Sequence, residues 1–500
     1  MSQGTKDRKN LLRNGVWWSA ADAFTTPFII PFALVLGATN VVVGLINSLQ
    51  NLGGLLSQVP GSELVWILRR RRALNNACEF IAKNSWLLIV AIPFLPADSW
   101  LTVLLVAVFI SSFFANLSYP AWASFIADVI PKGVRARYLA NRNMWMGFIS
   151  IIITLAVGFY LDLFPKEDLS GFSSIFLFGF MAGIISIFYF SRIRGSKLKL
   201  PEHHFHDYFR IDRNFGKYLV FISYFNFTYM IASPFFTVYL LVNLNMDYGA
   251  YVLFTAIAAF AGLVSQKHWG KIVDRFGDRP TMFIAIVGAA LVPFSYIFVN
   301  PSNLFLLIPI QVLSGVAWAG VWLVNFNMFL DTTRAENRII QTADYNIITT
   351  IPMIIAPVIG GYIAENMVFV LSGIPLLFMV ATILRLSSLP LLGKMKEPHI
   401  KRDYAPDYVF RVFVSVHPVR GLMHEIRAIN KEVGRLKKKL KYLHPYGRIP
   451  IIDLFLELAW IGLYSAKSIV VHWYHYLRLY RQRCLNRLFY VHSKFSANGQ

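Results

Sequence analysis

The chain is 500 residues long, 56% apolar and only 15% charged, with a formal net charge of +22. Its mean hydropathy of +0.52 excludes an ordinary soluble domain, which at this length needs far more polar surface to stay dispersed. Two cysteines, Cys78 and Cys484, are too few for a disulfide or metal framework.

The apolar residues come in blocks of about twenty, the length of a helix that crosses the hydrocarbon core. In chain order, spans are expected at 16–37, 40–62, 74–96, 99–127, 142–164 and 172–192. Six more follow at 217–241, 249–270, 280–299, 303–329, 342–364 and 367–390. The first block is too long for a cleavable signal peptide and ends without a small-x-small site, so it reads as a retained signal anchor.

The basic excess is confined to one side. Walking the loops alternately in and out, one face collects Lys6, Arg8, Lys9, Arg13, the run Arg69 to Arg72, Lys132, Arg135, Arg137 and Arg142. The same face takes Arg192, Arg194, Lys197, Lys199, Arg210, Lys271, Arg275, Arg279, Arg334 and Arg338, while the short loops opposite hold only Lys166. By the positive-inside rule the basic face is cytoplasmic, both termini lie there and the span count is even. The expected location is an inner or plasma membrane, and both cysteines fall on or near the reducing side.

The plan occurs twice. Asp128 and Asp331 are each followed two helical turns later by Arg135 and Arg338, and the same offset pairs Asn143 with Asn346, Gly158 with Gly361 and Asp162 with Glu365. A slightly different offset pairs Gly61 with Gly270 and Arg70 with Arg279. The expected fold is therefore an all-α membrane protein of twelve transmembrane helices in two pseudo-symmetric six-helix bundles. The bundles occupy residues 1–192 and 217–392, joined by a cytoplasmic linker at 193–216 and followed by a basic cytoplasmic tail at 393–500.

The most specific string is Gly270-Lys-Ile-Val-Asp274-Arg275-Phe-Gly277-Asp-Arg279, between the eighth and ninth spans. It matches G-x-x-x-D-R-x-G-x-R, and over about residues 11–390 the chain resembles the major facilitator superfamily. The resemblance implies two bundles rocking about a central cavity in alternating access. It also implies a cytoplasmic gating cluster of Asp274, Arg275 and Arg279, with Asp128/Arg135 and Asp331/Arg338 as its second element. A carboxylate at a helix end can sit against a facing helix N-terminus and pair with Arg, and such pairs bias a two-state equilibrium. The first-half copy departs from the pattern, with Val65 and Trp66 where the Asp and Arg belong. Asp128 is then left to pair with the Arg69–Arg72 run.

Ionisable residues inside spans are functional candidates by default. Asp22 reads as the only acid well inside the first-half spans, placed about 9 Å from the span start, and as a proton-coupling group or a counter-charge to a cationic solute. The bland alternative is a cytoplasm-proximal Asp satisfied by Ser19, Thr25 or a neighbouring helix. Glu79 and Lys83 read as a helix-surface pair. Candidate cavity residues are Asn51, Asn116, Asn226, Tyr229, Gln311 and Trp318, with Asn47 and Gln50 beside them, although amides also serve as interhelical glue. Trp17, Trp18, Trp318 and Trp322 fit interfacial belts as well as a ligand cage. A cavity poor in charge points to a neutral, weakly cationic or amphipathic small-molecule solute, with proton-coupled efflux preferred.

His203, His204 and His206 lack a Cys or acid cluster to complete a metal site. No phosphate-binding loop, nucleophile elbow or zinc-protease string occurs, so no enzyme activity and no cofactor is expected. No nucleic-acid partner is expected either. In the tail, Leu422, Ile426, Ile429, Val433, Leu436, Leu440 and Leu443 form a short heptad seam beside Arg435, Lys437, Lys438, Lys439 and Lys441. It can dimerise or contact another protein, but a helix on the anionic headgroups of the lipid bilayer is preferred. Ile449–Val471 carries Asp453, Glu457 and Lys467, and reads as an interfacial segment rather than a thirteenth span. A receptor or scaffold of the same fold, signalling through this tail, is the rival to a carrier.

Overall fold

The structure is a computed structural model that describes residues 3–194, 211–333, 338–368 and 371–395. The side chains of Trp66, Arg275 and Arg338, the histidines at 203, 204 and 206, Cys484 and the tail readings beyond Met395 lie outside the described residues.

The first span is α1 (Gln3–Thr25), which continues through a tight turn, Thr26–Phe28, into α2 (Ile29–Val35). Pro27 and Pro31 lack the amide hydrogens that a continuous α-helix needs, which accounts for the tightening. Next come α3 (Asn40–Leu68), α4 (Arg71–Val90), α5 (Trp100–Val129), α6 (Lys132–Leu161) and α7 (Leu169–Ser191).

The seventh span is broken: α8 (Arg213–Met230) stops short of Pro234, then α9 (Phe235–Val238) runs into a wider helical turn, Tyr239–Asn243. It is followed by α10 (Tyr248–Phe276), α11 (Asp278–Tyr296), α12 (Leu307–Thr332) and α13 (Arg338–Asn366). The last span is α14 (Gly373–Ser387) with the short α15 (Leu389–Gly393).

Ten of these helical spans are long and apolar enough to cross a membrane by length and composition. The other two membrane-length helices are α3 and α4. Asn47, Gln50, Asn51 and Ser57 dilute the hydropathy of α3, and Arg71, Arg72, Glu79 and Lys83 that of α4.

Several boundaries differ from expectation. The first helix starts at Gln3 rather than 16, and the fifth-span helix at Lys132 rather than 142. Hydropathy detects the membrane-buried part of a helix, whereas charged ends that remain helical lie beyond its window. The last span begins at Gly373 rather than 367, because Gly373 adopts φ +65°, a left-handed conformation open to glycine.

α1, α4, α5, α6 and α7 pack together, with α3 held against α5. In the last six spans α10 packs on α12, α11 on α12 and α14, and α8 on α13 and α14. Two main crossings join the halves, α13 on α3 and α10 on α6, while α2 and α3 also touch α9 and Lys166 pairs with Asp247. The largest apolar core is correspondingly shared: Phe28, Phe32 and Val43 lie in one cluster with Phe235, Tyr248, Val252 and Ile363. Smaller clusters sit within each half.

Candidate functional site

The two crossings are built alike. At the end of α6, Asp162 accepts hydrogen bonds from the backbone N–H groups of Tyr248 (2.8 Å) and Gly249 (2.9 Å), the first residues of α10. At the end of α13, Glu365 accepts from the N–H of Val41 (3.1 Å), at the start of α3. A helix N-terminus leaves its first amides without intrahelical partners and carries partial positive charge, so a carboxylate there satisfies both.

One turn earlier on each acid-bearing helix sits a glycine. A Cβ on Gly158 would collide with Val252. A Cβ on Gly361 would come within 2.6 Å of the Asn40 carbonyl and 2.8 Å of the Val41 Cα. Backbones meet closely there only because the side chain is absent. Further along the second crossing, Ser48 donates to the Ile354 carbonyl and Asn51 Nδ2 to the Met353 carbonyl (3.4 Å). These contacts lie toward the face opposite the basic loops.

A cavity of about 280 Å³ opens beside the broken seventh span. Its lining comes entirely from the last six spans, rather than from both halves as expected, and includes Tyr229, Ser233, Gln311, Trp318, Trp322 and Arg385. The break before Pro234 bends the chain away and exposes Ser233 at the wall, while Tyr239–Asn243 forms the wider turn that such sites often carry. Tyr229 meets Trp318 edge to face at 5.0 Å between centroids, and Trp318 lies 6.1 Å from Trp322. Gln311 donates through Nε2 to the Tyr296 hydroxyl at 3.0 Å.

Of the expected cavity residues, Tyr229, Gln311 and Trp318 line this space. Asn226 is adjacent and bonded, donating to the Thr349 carbonyl (3.2 Å) and to Met353 Sδ (3.6 Å). Tyr229 reaches the same sulfur at 4.0 Å, so Met353 gathers contacts from Asn51 in the first half and Asn226 and Tyr229 in the second. Asn116 is elsewhere, donating to the Ser112 carbonyl of its own helix. Trp318 and Trp322 belong to the cavity wall rather than to an interfacial belt.

The cavity is poor in charge, as expected, with one exception, Arg385. It is 1% exposed, donates through Nη1 to the Ala289 carbonyl at 2.6 Å and lies 5.7 Å from the centroid of the Trp318 ring. Its Nε has no partner among the described residues.

Charges elsewhere also differ from the sequence reading. Asp22 is about 24 Å along the helix from Lys6, the start of the membrane-length segment. That is near mid-span rather than near one end. Its Oδ1 accepts from Thr26 Oγ1 at 2.7 Å, while Ser19 and Thr25 donate to backbone carbonyls. Glu79 and Lys83 are no surface pair: their side chains are 13% and 8% exposed, with Oε2 and Nζ 3.8 Å apart. The Lys83 stem packs on Gly183, its ammonium lies 5.7 Å from the Trp18 ring centroid, and Glu79 accepts from Ser118 Oγ at 3.0 Å. Glu79 is therefore a second acid well inside the first-half helices, and Arg142, read as a loop charge, is buried against Gly15.

At the basic face Asp128 pairs with Arg71 at 2.6 Å, and Arg71 also donates to the Ser124 carbonyl. Arg135 donates to the Ile130 carbonyl. In the second half Gly277 adopts φ +85° to end α10, which explains that glycine of the motif; Gly270 has open space around it. Arg279 donates to the Gly393 carbonyl at 2.7 Å, at the end of α15, whereas Asp274 and Asp331 are exposed. The partners named here for Asp128 and Arg279 lie in their own halves.

The sequence matches the Major Facilitator Superfamily over residues 15–302 and 218–419. The chain belongs to the major facilitator superfamily. Solved superfamily transporters share its fold. A mutant of the nucleoside transporter NupG superposes with a TM-score of 0.64 at 11% identity, covering 79% of this chain and 100% of that one. The xylose transporter XylE from E. coli, in an inward open conformation, gives 0.59 at 12% identity, covering 79% and 97%. A bacterial homologue of the iron transporter ferroportin, in an inward-facing state, gives 0.58 at 16% identity, covering 78% and 98%. Among curated proteins none matches significantly. The protein is thus a multi-pass membrane transporter of the superfamily.

Proposed function

We propose that this transporter is a secondary carrier that moves a small solute by alternating access, and that the structure is the state closed on the face opposite the basic loops. The observation that carries the reading is the paired seam: Asp162 and Glu365, related by the internal repeat, each tie the end of one half to a helix start in the other. Fastenings of the same kind at both crossings, two backbone amides on Asp162 and one on Glu365, make one face a separable joint, which rocking bundles require. In this reading the open face, the linker and both termini are cytoplasmic, which the excess of Lys and Arg on one side supports.

In this account the solute binds in the cavity at Tyr229, Gln311 and Trp318, and Met353 relays its presence to Asn51. When the bundles rock, the cytoplasmic face closes on the charged cluster of Asp274, Arg275, Arg279, Asp331 and Arg338. Asp128 joins it from the first half, with Arg71 supplying the cation that the altered motif lacks and Arg135 ordering the loop. Asp22 carries the coupling proton, at mid-span and bonded to a single hydroxyl.

Proteoliposomes exposed to a solute panel test the proposal. Solute-stimulated pH change that disappears in Asp22→Asn, with binding retained, is the expected result. Normal coupling in that variant removes Asp22 from the mechanism. Binding without flux for every solute bound replaces the carrier with a receptor.

A further inference from the structure

Arg385 raises a question that packing alone leaves unanswered. A guanidinium deep in a membrane protein is costly unless a counter-charge accompanies it, and removing water strengthens every charge interaction around it. Arg385 is fully buried at the cavity wall, and of its donors Nη1 is engaged by the Ala289 carbonyl while Nε is left over. No carboxylate is ion-paired with it among the described residues, and no Asp or Glu lines the cavity.

We propose that the counter-charge is the solute, a small monoanion whose carboxylate meets Arg385 and whose flat body lies on Trp318, Trp322 and Tyr229. This deepens the carrier reading and rests on it for transport, though not for binding. The charge count selects the class. One guanidinium is neutralised by one negative charge, a dianion would leave a net charge in a low-dielectric space, and a cation would be repelled. Guanidinium and carboxylate also match as planar two-point partners. The aromatic rings at 5.0 and 6.1 Å supply faces and edges for a planar apolar group. The hydroxyls of Ser233 and Ser314 and the amide of Gln311 line the same space. A volume of about 280 Å³ sits at the small end of ligand pockets, so the solute is small.

The competing explanation is that Arg385 only staples α14 to α11 and to Trp318. Three probes of equal shape separate the two: benzoate, benzamide and benzylammonium, titrated against the full-length protein by quenching of tryptophan fluorescence and by thermal shift. The proposal expects benzoate to bind about tenfold tighter than benzamide, the smaller end of what a charge-assisted pair contributes, and benzylammonium to bind weakest. Arg385→Gln should bring benzoate and benzamide to within about twofold of each other. Arg385→Lys should keep the anion preference, and serves where the glutamine variant does not fold.

A wild type that does not favour benzoate over its neutral and cationic analogues overturns the proposal, as does undiminished anion preference in Arg385→Gln. Flux of benzamide or benzylammonium, but not benzoate, in proteoliposomes preserves the carrier and removes the anion site. Selective benzoate binding with no flux of any solute does the reverse.

Discussion

Asp162 closes over the first amides of α10 so that both carboxylate oxygens are engaged, Oδ1 by Tyr248 and Oδ2 by Gly249. The contact belongs to a helix end in one half and a helix start in the other, and Glu365 repeats it on Val41. A carboxylate at a partly buried helix N-terminus contributes about 1 kcal/mol. Asp162→Asn should therefore move the equilibrium away from closure of this face by about fivefold, Glu365→Gln, whose single contact is exposed, by about twofold, and the double variant by roughly the product. Spin labels on loops flanking α3 and α13 would report it as a growing long-distance population.

The glycines make a sharper prediction about the same seam. Gly361→Val inserts atoms where the Asn40 carbonyl and Val41 already stand, at 2.6 and 2.8 Å from the position of a Cβ. Gly158→Val does so against Val252. Both variants should fold, hold this face apart and give matching distance distributions. Opposite phenotypes would contradict the symmetry of the two crossings.

Glu79 and Lys83 behave as a buried pair, so their energetics should be those of a pair. Lys83→Met alone strands a carboxylate and should cost about 3 kcal/mol, seen as a lower thermal midpoint and poorer yield. Adding Glu79→Gln should recover most of the loss. Indifference to Lys83→Met would place Lys83 outside the core.

At the basic face, Arg69 ends α3 with φ +50°, the place where α10 uses Gly277. A non-glycine residue there stores about 1 kcal/mol of strain. Arg69→Gly should raise the thermal midpoint by about one degree with the Arg71–Asp128 pair intact, and a lower midpoint would show that the Arg69 side chain is needed.

How much of this was legible in the sequence depends on whether a signal is local. Hydropathy blocks and loop charge gave the spans, and Gly158/Gly361 and Asp162/Glu365 stood out as marks of a repeat. Nothing local says that those acids meet helix starts in the other half, because that is a fact of packing. Arg385 was missed because a basic residue in the last turn of an apolar helix is the ordinary pattern of a cation at the negative helix end, reaching toward water. Glu79 and Lys83 were misplaced for a similar reason: i,i+4 spacing describes a surface pair, and only the packing of α4 against α5 and α7 buries it. Three of the six residues offered for a cavity, Tyr229, Gln311 and Trp318, line the one described here, because aromatic and amide groups inside spans are few. Asn116 was not among them, since it bonds its own helix.

Alternating access requires one cavity to be exposed to each face in turn. With Cys78 and Cys484 replaced by Ser, a single cysteine at Ser233, on the cavity wall, can be tested with a membrane-impermeant thiol reagent applied from either side of oriented vesicles. Labelling from the basic face in the otherwise unaltered protein, with labelling from the opposite face gained in Asp162→Asn/Glu365→Gln, is the predicted result. Labelling from the same single face in both proteins would contradict alternating access.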